Sequence, residues 1–262
     1  MKKLLYIITI VVVYFNSGIL YSFDVESLLE KSANNLAKIK TIKAQVQQEV
    51  IIKNRSFKYV GSYSAKYPGK FKIIYTYPLK QIFWMENLQL NWYIPSKKID
   101  TYFTNFTQQT QNNIMSKPNL IPSLPSKDDL MPDKKYYNVV YSGKKFVSLF
   151  RRDHLIQFVP KTKESGLPLI KIYINQDNFA TEKILIYNKD KLTASQEYSE
   201  FKNSNGIFFP TKIIISIPQR NLTTITYYLR YKLNIPVKDS EIIEKLPPDT
   251  KKQQFNQYQI NY

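Results

Sequence analysis

The chain has 262 residues and a net charge of +18, with 43% hydrophobic residues, 15% aromatic residues, 6 glycines and no cysteine. That length suits one large β domain or two small ones, and the apolar content excludes a chain disordered throughout. Without cysteine there is no disulfide framework, thiol nucleophile, Cys-ligated metal or acylated N-terminal cysteine, and neither G-x-G-x-x-G nor G-x-x-x-x-G-K-[ST] is present for a nucleotide phosphate.

Residues 1–22 read MKKLLYIITIVVVYFNSGILYS: two lysines, an apolar run from Leu4 to Phe15, then Asn16, Ser17 and Gly18. This is the charged, apolar, then small layout of a secretory signal. The 12-residue run is short for a membrane span. The expectation is a signal peptide over 1–22, removed after Ser22. An uncleaved inner-membrane anchor is the alternative. Without Lys2 and Lys3 the charge is +16. Export argues against nucleic acid as a partner, and the scattered lysines suit either weak attraction to anionic headgroups or a plain solvated surface.

Residues 24–40 predict a helix, with Asp24 as N-cap and an apolar face of Leu28, Leu29, Ala33, Leu36 and Ile39. The period then changes to two. Ile42, Ala44, Val46, Val50 and Ile52 share one face of a long strand that is polar on the other. FKYVGSYSAKY and KFKIIYTY follow as strands around a Pro68-Gly69 turn. The stretch 78–103, PLKQIFWMENLQLNWYIPSKKIDTYF, predicts a hairpin and a further strand. With Glu86-Asn87 as the loop, Phe83 faces Leu90, and Phe83, Met85, Leu88, Leu90 and Trp92 share a face. Ile82, Trp84 and Tyr93 load the other face, so both sides carry bulky groups.

Residues 104–135, with four prolines, predict a long loop with a short helix around 107–115. Short alternating strands follow: YYNVVY, KFVSLF, HLIQFVPK, LIKIYIN, EKILIYN, SQEYSEF, FFPTKIIISI and TTITYYLRY. The tail 247–262 is expected to be poorly ordered. The fold class is mainly β (α+β), a strongly curved antiparallel sheet capped by helices.

Little catalytic chemistry is visible. The single histidine, His154, has no nucleophile motif to serve and reads as structural. Asp128-Asp129 lack EF-hand spacing, and Arg151-Arg152 beside Asp153 reads as a surface ion pair. The expectation is a non-enzyme without catalytic residues, cofactor or metal, whose aromatic surface binds something apolar.

The order of elements resembles the LolA family, the periplasmic carriers of lipoproteins to the outer membrane. The residues that carry the resemblance are Gly61, Lys66, Pro68 and Phe71, then Pro78, Ile82, Trp92, Tyr93 and Pro95, with Glu86-Asn87 where Asp-Gly is usual. YNVVYSGKKF, IQFVPK, LIKIYINQDNFATEKI and GIFFPTKIIISI are similar to the family's later strands. The resemblance spans most of 24–235. It implies an open half-barrel over 23–246 whose cavity takes up lipoprotein acyl chains, lined by Phe71, Ile73, Phe83, Leu90 and Trp92 and gated by Leu29, Leu36 and Tyr67. Tyr67 stands where family carriers often have an arginine. The implied setting is a monomer in the periplasm, loaded by an inner-membrane ABC-type lipoprotein release complex and unloaded at an outer-membrane acceptor. A LolA-like envelope sensor, or another lipid-binding regulatory protein without transport, is the alternative.

Overall fold

The computed structural model describes residues 24–67, 69–86, 89–104, 124, 130–148, 151–162 and 165–254. The expected signal peptide, the short helix around 107–115 and Asp128-Asp129 lie outside them. The rest forms one 14-stranded sheet. A first meander holds β1 (Thr41–Ile52), β2 (Arg55–Lys66), β3 (Lys70–Tyr77), β4 (Gln81–Glu86), β5 (Gln89–Ile94) and β6 (Ile99–Phe103). A second holds β7 (Tyr137–Ser148), β8 (Arg151–Pro160), β9 (Leu169–Asn175), β10 (Thr181–Asn188), β11 (Lys191–Ser204), β12 (Ile207–Ile217) and β13 (Leu222–Leu233). β1 pairs antiparallel with β13, from Ile42↔Leu233 to Ile52↔Leu222, and fuses the two meanders into one surface. The order is β14-β6-β5-β4-β3-β2-β1-β13-β12-β11-β10-β9-β8-β7, where β14 is Lys251–Gln254. The mainly β fold with one large open sheet is as the periodicity predicts.

The alternation puts one residue in two on the concave side. Ile156↔Ile172 and Ile172↔Ile184 make an isoleucine row across β8, β9 and β10. Tyr63, Ile73, Tyr75, Phe83, Phe209, Ile213 and Tyr228 continue the same buried cluster across the seam. Helix α1 (Val25–Ala37) lies against it and contributes Leu28, Leu29 and Ala33. Asp24 caps it as expected, its Oδ1 accepting the Ser27 N–H at 3.0 Å. The helix ends at Ala37, one turn earlier than the pattern suggests, and Ile39 is buried beyond it.

Three local expectations are corrected. The hairpin register is Ile82↔Tyr93, Phe83↔Trp92, Met85↔Leu90 and Glu86↔Gln89. Glu86 therefore belongs to the ladder, paired with Gln89, rather than to the loop. Because side chains alternate with a period of two, this two-residue shift leaves the described residues on their expected faces. YYNVVY and KFVSLF are not separate strands: Tyr137–Ser148 is one strand, with register shifts at 141/144 and 146/148. The tail is not poorly ordered from its start, because Lys251–Gln254 pairs parallel with Ile99–Tyr102.

The convex side of the first meander has its own cover. Ile82, Trp84 and Tyr93 form a small buried cluster with Ile74 and Leu246. The segment bearing Leu246 follows a short helix, α2 (Asp239–Ile242), and its acids meet lysines on the sheet. Asp239 takes Lys66 at 2.8 Å and Lys70 at 3.3 Å, Glu244 takes Lys72 at 2.5 Å, Glu241 pairs with Lys43 and Asp249 with Lys98.

Gly61 sits at the irregularity between β2 and β3, opposite Tyr75. A Cβ there would lie 2.1 Å from the Ile74 carbonyl oxygen and 2.8 Å from the Tyr75 Cα. Both are backbone atoms and cannot turn aside. Gly61→Ala is expected to lower unfolding free energy by about 3 kcal/mol through overpacking, read as a fall in the urea midpoint.

Candidate functional site

The register of β3 to β6 gathers the residues expected to line a cavity. Ile73 lies opposite Phe83 and Phe71 opposite Met85. Phe83 lies opposite Trp92, their rings stacked at 5.6 Å and 8°. Leu90 lies opposite Phe103. Phe71, Ile73, Phe83, Leu90 and Trp92 thus form one contiguous patch on the concave wall. Ile73, Phe83 and Leu90 are buried, whereas Phe71 and Trp92 are half-buried. Trp92 donates its indole N–H to Gln81 Oε1 at 3.0 Å. Aromatic contacts extend the wall from Phe71 to Tyr63 at 6.3 Å, Tyr63 to Tyr228 at 5.7 Å and Tyr228 to Phe209 at 5.3 Å.

Of the three expected gating residues, Leu29 is buried on α1, and Leu36 and Tyr67 are half-buried against the same core. The Tyr67 and Tyr63 hydroxyls stand 3.5 Å apart, and burial raises the pKa of both phenols. An uncharged phenol pair therefore occupies the place where the resemblance expects an arginine. Two polar residues that the apolar pattern did not single out fix α1 on the sheet. The Asn35 side chain donates to the Phe208 carbonyl and accepts the Phe208 N–H, both at 3.1 Å. Ser32 Oγ and Thr181 Oγ1 lie 2.7 Å apart. These bonds satisfy buried groups and also set the helix's rotation, since a turn of the helix would leave them unpaired.

A cavity of about 590 Å3 opens at the N-terminal end of α1. Val25, Leu29, Met131, Val139 and Phe158 supply its apolar lining, and Asp24, Glu26, Asp133 and Lys134 its polar edge. Lys134 and Glu26 pair across that edge at 2.6 Å. Its size falls in the roughly 300–1,000 Å3 range of small-molecule sites. None of the five expected lining residues borders it. It lies on the β7–β8 side of the helix, whereas they lie on β3 to β5. Leu29 belongs to both the gating set and the cavity. The sequence signal for this place was weak: Val139 and Phe158 are ordinary inward positions of two strands, and Met131 sits among the prolines of 104–135. Leu124 and Leu130, from that same stretch, are buried in the main core.

No family model matches the sequence, and no curated protein matches it. Its fold is nevertheless shared with solved structures. A DUF1329 family protein from Desulfovibrio piger aligns with a TM-score of 0.58 at 13% identity, over 82% of this chain and 95% of that one. A LolA superfamily protein from Nitrosomonas europaea aligns with a TM-score of 0.55 at 16% identity, over 84% and 97%. A domain described as an outer membrane lipoprotein-sorting protein, from Vibrio parahaemolyticus, aligns with a TM-score of 0.55 at 12% identity, over 82% and 95%. The chain has a LolA-like fold.

No group of three or more His, Cys, Asp or Glu side chains able to hold a metal occurs among the described residues. His154 is buried, with Nδ1 2.9 Å from the Tyr141 hydroxyl, and burial, with Lys144 adding to it, lowers its pKa. The Arg151–Asp153 pair is not the surface pair the sequence suggests. The Asp153 side chain has no exposed surface, and Arg151 spans Asp153, at 3.5 Å, and Glu182. Asn175 donates to the other Glu182 oxygen at 2.7 Å. Burial first, then the Glu182 charge, raises the Asp153 pKa to about 6. The folded protein therefore holds a proton, between about pH 4 and pH 6, that the unfolded chain has released. Unfolding free energy is expected to fall by about 1–3 kcal/mol as pH rises through that window. Asp153→Asn is expected to flatten that slope in urea titrations at several pH values.

Proposed function

We propose that this protein binds lipid acyl chains reversibly between α1 and the concave face of the sheet, and that it does so as an exported carrier of lipoproteins. One observation supports the reading above others. An apolar helix is laid over an aromatic wall too open to close on itself, and a cavity with an apolar lining and a charged edge lies at the end of that helix. Water disfavours exposed acyl chains by about 0.8 kcal/mol per CH2, so a carrier must supply such a surface and then release the chain.

In this proposal the chain enters at Leu29, Met131, Val139 and Phe158, and α1 moves aside as it extends along Phe71, Ile73, Phe83, Leu90 and Trp92. Leu29, Leu36 and Tyr67 are the contacts the chain displaces. The Lys134–Glu26 pair at the edge is exposed and contributes little to keeping it shut. Residues 1–22 act as the export signal and the protein works in the periplasm, receiving lipoprotein from an inner-membrane ABC-type release complex and giving it to an outer-membrane acceptor. The domains named by the similar structures support this choice of cargo over other apolar ligands.

Titration with a fluorescent acyl-chain probe, competed by a triacylated lipopeptide, tests the reading. Saturable binding displaced by the lipopeptide is the expected result. A folded protein that binds neither sinks the proposal. Trp92→Glu, at a half-buried position, is expected to weaken binding at least about tenfold in a protein that still folds, with a lowered thermal midpoint from the lost Phe83 stack and Gln81 bond. Leu36→Ala is expected to act in the opposite sense: it loosens α1, lowers stability by about 1–2 kcal/mol and raises probe affinity. If Leu36→Ala weakens binding instead, α1 is part of the site rather than its competitor.

A further inference from the structure

The largest exposure among the described apolar side chains falls at the end of β7. Phe146 is 65% exposed and its neighbour Val147 39%. Both lie in the last residues of β7, before β8 begins at Arg151. The register shifts at 141/144 and 146/148 separate this end from the regular ladder, and both side chains stay exposed although alternation would turn one of the two inward. Such side chains normally sit inside, and side by side at a strand end they mark a surface that meets something apolar.

The exposed charges next to them on β7 and β8 are positive. Lys144 and Lys145 precede Phe146, and Arg151 and Arg152 follow on β8, where Arg152 lies opposite Phe146 in the ladder. The Arg152 guanidinium stands 4.0 Å over the Phe146 ring. Residues 137–160 contain one acid, Asp153, and its side chain is wholly buried. Glu182, from β10, is taken up by Arg151 and Asn175. Asp177, in the β9–β10 turn, is exposed, and Glu200, farther along on β11, is exposed and lies 3.7 Å from Lys212. Lys144, Lys145 and Arg152 therefore present positive charge beside an exposed aromatic ring.

We infer that this end of the β7–β8 hairpin docks the protein on an anionic phospholipid surface, with Phe146 and Val147 entering the headgroup boundary and Lys144, Lys145 and Arg152 meeting the phosphates. Exposed apolar groups ringed by cations bind this way because the two contributions act together: apolar burial needs the surface to be close, and each cation is attracted to it within a Debye length. The same charges would repel a basic partner, and an uncharged bilayer would use the phenylalanine alone. The docking surface lies on the order of 20 Å along the strand from Val139 in the cavity, so it can be altered without touching the proposed acyl-chain site, and the inference stands whether or not that site binds lipid.

Flotation of the purified protein with vesicles tests it. One set is phosphatidylcholine alone, the other phosphatidylcholine with about one-third phosphatidylglycerol. Binding to the anionic set, weakened by salt, is expected. Phe146→Asp and the double change Lys144→Glu with Lys145→Glu should each lower the partition coefficient by about tenfold or more, with the thermal midpoint and acyl-probe affinity unchanged. Phe146→Trp should add a blue-shifted emission on anionic vesicles only. Equal binding by the variants and the parent would overturn the inference, placing attraction in the charge of the whole surface or in the N-terminal apolar segment. Equal binding to both vesicle sets, or to neither, would overturn it too.

Discussion

An apolar sheet face that is curved but not closed must be covered by something else, and most of this structure follows from that constraint. The seam between β1 and β13 makes two meanders into one sheet, with strands added outward in both directions from it. Growth outward leaves two free ends, at β14 and β7, rather than a closed barrel. The concave row of aromatics and isoleucines then has no facing strand to pack on. Helix α1 fills that role, and residues of the 104–135 stretch, Leu124, Leu130 and Met131, help it. A single short helix covers a long concavity incompletely, and the cavity at its N-terminal end is the uncovered remainder.

The periodicity made the strands, their inward faces and the helix readable before any coordinates, because a period of two and a period of 3.6 are strong signals over long segments. The Phe83 and Trp92 faces were right although the loop was misplaced, because a shift of two residues preserves the side. The break read between YYNVVY and KFVSLF has a different origin. Ser142-Gly143, between the two runs, is an irregularity inside one strand, and the sequence does not distinguish a bulge from a turn when both use glycine. Asp153 was misjudged because the burial of its carboxylate depends on Glu182 and Asn175, which arrive from β10 and β9. The cavity was missed for a similar reason: its walls come from α1, β7, β8 and the segment at 131–134, and no local pattern ties these together.

The bulk on both faces of the 78–103 hairpin has a physical explanation in two separate layers. Phe83 and Trp92 face the concavity, whereas Ile82, Trp84 and Tyr93 face outward and would be an exposed patch without Leu246. The chain returns after β13 to cover them, and its acids land on Lys43, Lys66, Lys70, Lys72 and Lys98. Each pair at partly exposed positions contributes little. Their joint effect is on placement: a basic sheet face recruits the acidic stretch of its own chain, and the apolar anchors Ile242 and Leu246 then bury. β14, which adds to β6 beyond Asp249, extends this outer layer to the edge of the sheet.

The energetics of α1 set what kind of ligand could compete with it. Leu28, Leu29 and Ile39 are buried and contribute about 1.5–3 kcal/mol each, with half-buried Leu36 adding less, so roughly 5–10 kcal/mol holds the helix region to the wall, an upper estimate because the unfolded reference is itself partly compact. An acyl chain of about fifteen CH2 groups gains about 12 kcal/mol from the same kind of burial. The two quantities are close. A much weaker helix would leave the wall exposed between encounters, and a much stronger one would exclude the chain. With the two near balance, an apolar ligand of that size could displace the helix region at little net cost. The polar bonds of Ser32 and Asn35 add orientation to that apolar hold, because only one seating of the helix satisfies them.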